Sequence, residues 1–359
     1  MTKIKSRRFP VLLAGLVTTL ALVVSACASG SQMAKDTSGN DTLRIAVYPG
    51  AFASLPDYVG VDTGIYKEHG ISADLTEIPT GPSQVAAVAS RSVDVIGTST
   101  GLILLANAQG QDLVYLNNYL SRLYYTFIAQ ESWPTPNAQK PYPAPIKDLK
   151  GAKIGISGRG SEAELLLRTM LLDAGLNPDE DVTWITVGGY GQSAISAFKE
   201  GQVDVVAAIE PMKTLLMNVM HVGKPLLDLN DPAQGSETLR AMPGQGRATL
   251  RNTADANEDT FRRYNEAQAK VLEFMKDPAH LDEVAEIYAN HGGLDATVAR
   301  QIIETNTSII DFEFNCSGIA PTWGYLKQTN QLTADQGAVG APSCADFIWK
   351  GSHEFAHGL

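Results

Sequence analysis

The chain has 359 residues, with 28 Lys and Arg against 39 Asp and Glu, and a formal charge of −11 at pH 7. That balance argues against nucleic acid and an anionic lipid surface as partners, because both demand basic patches. It leaves open the charge of a small ligand, which is set locally. The length exceeds what one hydrophobic core serves comfortably, so two domains are expected.

Lys3, Lys5, Arg7 and Arg8 precede an apolar run from Val11 to Val24. The run is shorter than the roughly 20 residues a membrane-spanning helix needs, and a basic start before it reads as a secretory signal over residues 1–26. Val24-Ser25-Ala26-Cys27 looks like a lipobox, which makes Cys27 the acylated first residue of the exported chain. Residues 1–26 carry four basic and no acidic side chains, so their removal takes the charge from −11 to −15. The polar stretch 27–41 reads as a tether.

Strands then alternate with helices. Strands are expected at Leu43–Val47, Ile71–Ile78 and Val93–Gly97, with helices at Leu55–Tyr66 and Gln84–Ala89. The order recurs as strands at Lys153–Ile156, Val182–Val187 and Val203–Val206, with helices at Glu162–Ala174 and Gln192–Phe198. Pro82-Ser83-Gln84-Val85-Ala86-Ala87 is echoed by Tyr190-Gly191-Gln192-Ser193-Ala194-Ile195, and Val93-Asp94-Val95 by Val203-Asp204-Val205. Asp94 and Asp204, at matching strand starts, read as turn residues. Alternation of this kind implies parallel sheets with crossover helices. Two such sheets built alike face each other across a cleft, with ligands held outside the carboxyl ends of the strands.

Cys316 and Cys344 remain as an even pair in an oxidising compartment. A disulfide there would close a loop of about 29 residues and contribute about 3 to 4 kcal/mol; two separate thiols are the alternative. His353-Glu354-Phe355-Ala356-His357 matches the zincin pattern, in which histidines one helical turn apart bind Zn²⁺ and the glutamate serves as base. This makes a metal-dependent hydrolase the alternative reading, weakened because a terminal turn frays. The chain shows no Walker loop, nucleophile elbow or dinucleotide fingerprint, and no cofactor or metal is expected.

Several segments carry a family resemblance. Tyr48-Pro49-Gly50, Leu55-Pro56 and Gly64-Ile65-Tyr66-Lys67-Glu68-His69-Gly70-Ile71 resemble the opening of the nitrate/sulfonate/taurine-type, and thiamine-pyrimidine-precursor-type, solute-binding proteins of ABC importers. Asp148-Leu149-Lys150-Gly151-Ala152-Lys153-Ile154-Gly155 is similar to the start of that family's second lobe. Phe198-Lys199-Glu200-Gly201-Gln202-Val203-Asp204-Val205 and Ile209-Glu210-Pro211 resemble a later strand and edge. The tail after Asn315 matches no family pattern.

The resemblance implies an α/β, two-lobed periplasmic-binding fold, each lobe an open, mostly parallel sheet flanked by helices. Lobe 1 would comprise 42–120 and 245–359, and lobe 2 would comprise 121–244. It further implies a non-enzymatic, exported lipoprotein, monomeric and membrane-held through its N-terminal lipid. That protein would capture a small anionic or planar solute by lobe closure and deliver it to an ABC permease and its ATPase; a sensor or pathway role on the same fold is the other alternative. Site candidates lie in loops at strand ends. In lobe 1 these are Tyr48, Phe52, Ser54, Ser83, Gln84, Thr98, Ser99 and Thr100; in lobe 2, Gly158, Arg159, Gly160, Ser161, Tyr190, Gln192 and Glu210. Ser161 is a natural cap for the following helix, whose positive end would favour an anion. Arg159 would either grip that anion in bidentate fashion or sit in a solvated turn.

Overall fold

The computed structural model of the chain describes residues 32–359. The basic start, the apolar run and Cys27 lie outside the described residues. Two five-stranded mixed sheets carry the fold, with strands numbered here in chain order. The first contains β1 (Asp41–Val47), β2 (Ile71–Glu77), β3 (Val95–Ser99), β4 (Leu113–Leu120) and β10 (Gln245–Leu250), in the order β2-β1-β3-β10-β4. The second contains β5 (Thr126–Gln130), β6 (Lys153–Ile156), β7 (Thr183–Thr186), β8 (Val205–Ala208) and β9 (Gly223–Asp228), in the order β7-β6-β8-β5-β9.

The two orders are one pattern. In each sheet three parallel strands form one side, and the fourth position is filled by an antiparallel strand. In the first sheet that strand is β10, reached after the chain has built the second; in the second sheet it is β5, entered directly from β4. Both filled positions are central, and β3, β4, β8 and β10 are buried along their whole length, as strands covered on both faces must be. The expected echo extends to atoms. Asp94 Oδ2 accepts the Arg44 amide at 2.9 Å, and Asp204 Oδ2 accepts the Lys153 amide at 2.8 Å. Each Asp amide also donates 2.8 Å to the same residue's carbonyl. Both aspartates thus lock the start of a central strand to its neighbour.

Several expected elements shift at their ends. The helix expected over Leu55–Tyr66 stops at Asp62, and a separate turn runs Ile65–Glu68. Gly64 breaks it by taking the left-handed conformation (φ 82°), which favours glycine. The strand expected at Val93–Gly97 begins two residues later and reaches Ser99, so Thr98 and Ser99 lie on a buried strand end. Residues ahead of β1 fold back on it: Thr42 donates to the Ala34 carbonyl at 2.7 Å and the Met33 amide to Asn257 Oδ1 at 2.9 Å.

One buried ion pair ties β10 to the helix Leu55–Asp62. Arg247 Nη2 stands 2.5 Å from Asp57 Oδ2, and both side chains are 1 % exposed. Asp57 Oδ1 also accepts from Tyr66 Oη at 2.7 Å and Gln268 Nε2 at 3.0 Å. The helices Glu258–Lys276, Leu281–Gly292 and Ala296–Asn306 follow, the first two packing against Leu55–Asp62.

The unmatched tail has a clear place. The helix Ile319–Gln328 packs against Thr100–Ala108 beside the first sheet, Glu162–Asp173 beside the second, and Glu237–Ala241 on the returning crossover. Cys316 and Cys344 are joined in a disulfide with Cα atoms 5.6 Å apart. The HExxH segment does not form the α-helix its pattern requires. Lys350–Phe355 is a 3₁₀ turn running into the short strand Ala356–His357. His353 Nε2 faces the Ile348 carbonyl at 3.3 Å, whereas His357 pairs with Glu313. Among the described residues no three His, Cys, Asp or Glu side chains gather as a metal-holding group, and no helix is long and apolar enough to cross a membrane.

The disulfide is expected to act mainly by restricting the unfolded chain. Reduction, or a Cys316→Ser/Cys344→Ser pair, should lower unfolding free energy by about 3 to 4 kcal/mol, read as a lower urea midpoint with a slope equal to or steeper than the oxidised protein's, because the released chain exposes more surface. An unmoved midpoint would show that the disulfide adds nothing to the stability of the cooperative unit.

Candidate ligand-binding cleft

The ends of β1 and β3 and the loops after β6 and β7 converge where the lobes meet. The lobes touch through main chain and rings: the Phe52 amide donates to the Glu210 carbonyl at 3.1 Å, and the Tyr48 and Tyr190 rings meet edge to face at 6.2 Å. A cavity of about 220 Å³ opens beside that ring pair, lined by Tyr48, Pro49, Ala51 and Pro79 from one lobe and by Gly188, Tyr190, Gly191, Gln192 and Ser193 from the other.

The candidate residues divide by what they touch. Tyr48 Oη shares a 3.0 Å hydrogen bond with Thr98 Oγ1 under the cavity floor. Gln192 lies exposed at its rim. Ser99 caps the helix Thr100–Ala108 by accepting the Leu102 amide, and Ser161 caps Glu162–Asp173 by accepting the Glu164 amide. The two capped N-termini face each other, since a Cβ added to Gly101 would stand 3.1 Å from Glu162 Oε1. Gly158 and Gly160 lie against Thr80 and Pro82 of the opposite lobe.

Other candidates have structural partners. Phe52 is fully buried against Tyr119 and Tyr288, and Ser54 Oγ accepts the Tyr48 amide at 2.8 Å. Gln84 is fully buried and braces two strands, accepting the Gly97 amide and donating to the Ile78 carbonyl. Ser83 sits exposed in the turn that Thr80 caps. Glu210 accepts the Thr214 amide at 3.1 Å, and burial raises its pKa. Arg159 is 57 % exposed and stands 3.0 Å from Glu164 Oε1.

The residue that the sequence did not single out is Glu162. It opens a helix, where an acid is unremarkable because it complements the helix dipole, so nothing in the pattern marks it. In the fold it is 3 % exposed at the meeting of the lobes, and its Oε1 has no hydrogen-bond partner among the described residues. Around it lie Ser99, Gly101 and Thr322, and the ring cluster of Tyr124, Tyr125 and Tyr190. Tyr190 Oη bridges from Ser157 Oγ at 3.1 Å to Tyr125 Oη at 3.4 Å. Burial pushes the Glu162 carboxyl from its ordinary 4.5 up to about 8, and the hydroxyls of Ser99 and Tyr125 pull it partly back.

This burial has a sign that stability can read. Unfolded, Glu162 ionises near 4.5; folded, it holds its proton until about 8. Across that window the folded state binds the extra proton, so stability is full below the lower value and is lost as pH rises through the upper one. Replacing Glu162 with Gln should therefore shrink the drop in melting temperature between about pH 5.5 and about pH 8. An identical drop in both proteins would mean the folded carboxyl is already ionised at neutral pH.

The chain is similar to several known proteins. The NMT1/THI5 like family matches residues 51–281, more than half of the chain. A putative aliphatic sulfonates-binding protein of Escherichia coli is 34 % identical over 186 residues, 50 % of this chain and 52 % of that one. A putative binding protein of Brucella abortus is 29 % identical over 156 residues, 43 % of each. The chain thus spans about half the length of the curated relatives it matches. Among solved structures, a protein of Bordetella bronchiseptica superimposes with a TM-score of 0.73 at 21 % identity, over 87 % of this chain and 96 % of that one. The alkanesulfonate-binding protein SsuA of Xanthomonas axonopodis, bound to MOPS, gives 0.65 at 20 % identity over 84 % and 96 %. The periplasmic nitrate-binding protein NrtA of Synechocystis gives 0.65 at 13 % identity over 86 % of each chain. These structures show the periplasmic-binding fold, as the sequence resemblance implies, and the chain belongs to the NMT1/THI5 like family.

Proposed function

We propose that this chain is the solute-capturing component of an ABC importer, exported and held to the membrane by a lipid on Cys27. The observation that carries the reading is the inter-lobe cleft, where loops from both sheets line one small cavity and two capped helix N-termini meet close by. Its relatives are described as sulfonate- and nitrate-binding proteins, which supports capture of a small solute and delivery to a permease. We place the solute between Tyr48, Thr98, Ser99 and Thr100 on one side and Gly158, Ser161, Tyr190 and Gln192 on the other, in a protein that works as a monomer. Opening of the lobes would part the Tyr48–Tyr190 contact and the Phe52–Glu210 hydrogen bond, and closure on a solute would remake them.

Two measurements test this. A solute that binds only the folded state stabilises it by RT ln(1 + [L]/Kd), about 2.7 kcal/mol at a hundredfold excess over Kd, and raises the melting temperature with ligand concentration. A thermal screen of amines, sulfonates, small anions and heteroaromatics should find such a compound, and Tyr190→Ala should weaken it. A screen in which nothing stabilises the protein contradicts solute capture. For the anchor, radiolabelled palmitate fed to expressing bacteria should label the wild type and not Cys27→Ser; equal labelling would refute acylation at that residue.

A further inference from the structure

We infer that the solute presents a protonated nitrogen, an ammonium or amidinium group, to the carboxyl of Glu162. The inference rests on the solute-capture reading and names the chemistry of the lobe contact, set between the two helix N-termini, that a solute meets when the cleft opens.

Geometry carries it. Glu162 is almost wholly buried where the lobes meet; the hydroxyls of Ser99 and Tyr125 lie beside its carboxyl, and its Oε1 makes no hydrogen bond among the described residues. An unsatisfied buried acceptor is costly, and a group that donates to it is correspondingly favoured. Cations near it in the chain are engaged elsewhere. Arg159 and Arg168 both pair with Glu164, Arg168 also reaches Asp179, and Arg247 is paired with Asp57.

The positive helix end that would suit an anion is taken by the protein's own acids. Glu164 Oε2 accepts the Gly160 amide at 2.7 Å, and Glu162 itself faces the opposing N-terminus at Gly101. A sulfonate placed there would meet a carboxyl instead of a guanidinium. The rings of Tyr48, Tyr125 and Tyr190 pack together beside that carboxyl, and an ammonium set over the face of such a ring is favoured.

The titratable groups around Glu162 are the hydroxyls of Tyr48, Tyr115, Tyr124, Tyr125, Tyr190 and Tyr325, all held by burial above their ordinary range. The carboxyl is then the group that changes charge near neutrality, with its pKa raised to about 8. A bound cation lowers that pKa, so binding below about pH 8 releases one proton and tightens as pH rises.

The test is titration calorimetry of the full chain with four compounds that share one ring: benzylammonium, benzamidinium, neutral benzamide and benzenesulfonate. The two cations should bind more tightly at about pH 8 than at about pH 6.5, by up to tenfold per pH unit, with a heat that depends on the buffer because a proton is released. Glu162→Gln should weaken them by about 10- to 100-fold and remove the pH dependence, while Glu162→Asp, which keeps the charge, should retain that dependence. The melting temperature of each variant reports whether it folds. Tightest binding by benzenesulfonate, or full cation affinity in Glu162→Gln, overturns the inference and leaves solute capture standing. Binding by none of the four also overturns it, and solute capture is then decided by the wider thermal screen.

Discussion

Neither sheet can be completed without the other lobe's chain. The position beside β3 is filled by β10, which arrives only after the second sheet is built, and the position beside β8 is filled by β5, which leaves the first sheet at once. That exchange of antiparallel strands forces two crossovers, and the crossovers set the carboxyl ends of both parallel sets facing one another. The cleft is a consequence of this connectivity. Arg247 shows how much the fold invests in β10: its guanidinium is buried against Asp57, although such pairs offset their desolvation only with good geometry and added hydrogen bonds. Tyr66 and Gln268 supply those bonds to Asp57, joining the returning strand to helices at both ends of the chain.

The tail works on the same junction from outside. Its helix Ile319–Gln328 touches elements of both lobes and of the crossover, Gln328 donates to Asp173, and Gln336 donates to the Ala108 carbonyl. A disulfide that restricts this segment therefore restrains a surface shared by two bodies. Any opening of the cleft must slide or release those contacts, which gives the tail influence over how readily the lobes part.

Much of this was legible in the sequence because it is periodic. The alternation of strand and helix, and the matched Asp94 and Asp204, carry information within a few residues of chain. The aspartates are legible as structural by their matched places before two strands, although the bonds they make reach a neighbouring strand far away in the chain and are not those of a local turn. The exchange was implied by the family resemblance, but strand direction was not legible: Gln245–Leu250 carries Gln, Gly, Arg and Thr in no strand-like alternation, and only long-range pairing gives β5 and β10 their direction. The site divided in the same way. Ser99 and Ser161 announce themselves as caps before apolar runs, and they do cap. Phe52 and Gln84 carry the same residue types as ligand contacts but spend them on internal packing. Glu162 was hidden by its own ordinariness, since an acid in the first turn of a helix signals nothing until a second helix end is set against it.

The central claim is that the two lobes close on a solute. Nitroxide labels at exposed Ser90 on the first lobe and Glu200 on the second would report their separation by pulsed electron resonance. With the compound that stabilises the protein most, the account predicts that a longer-distance population disappears and the short distance sharpens. A distribution that stays unchanged at saturating solute would contradict closure as the means of capture.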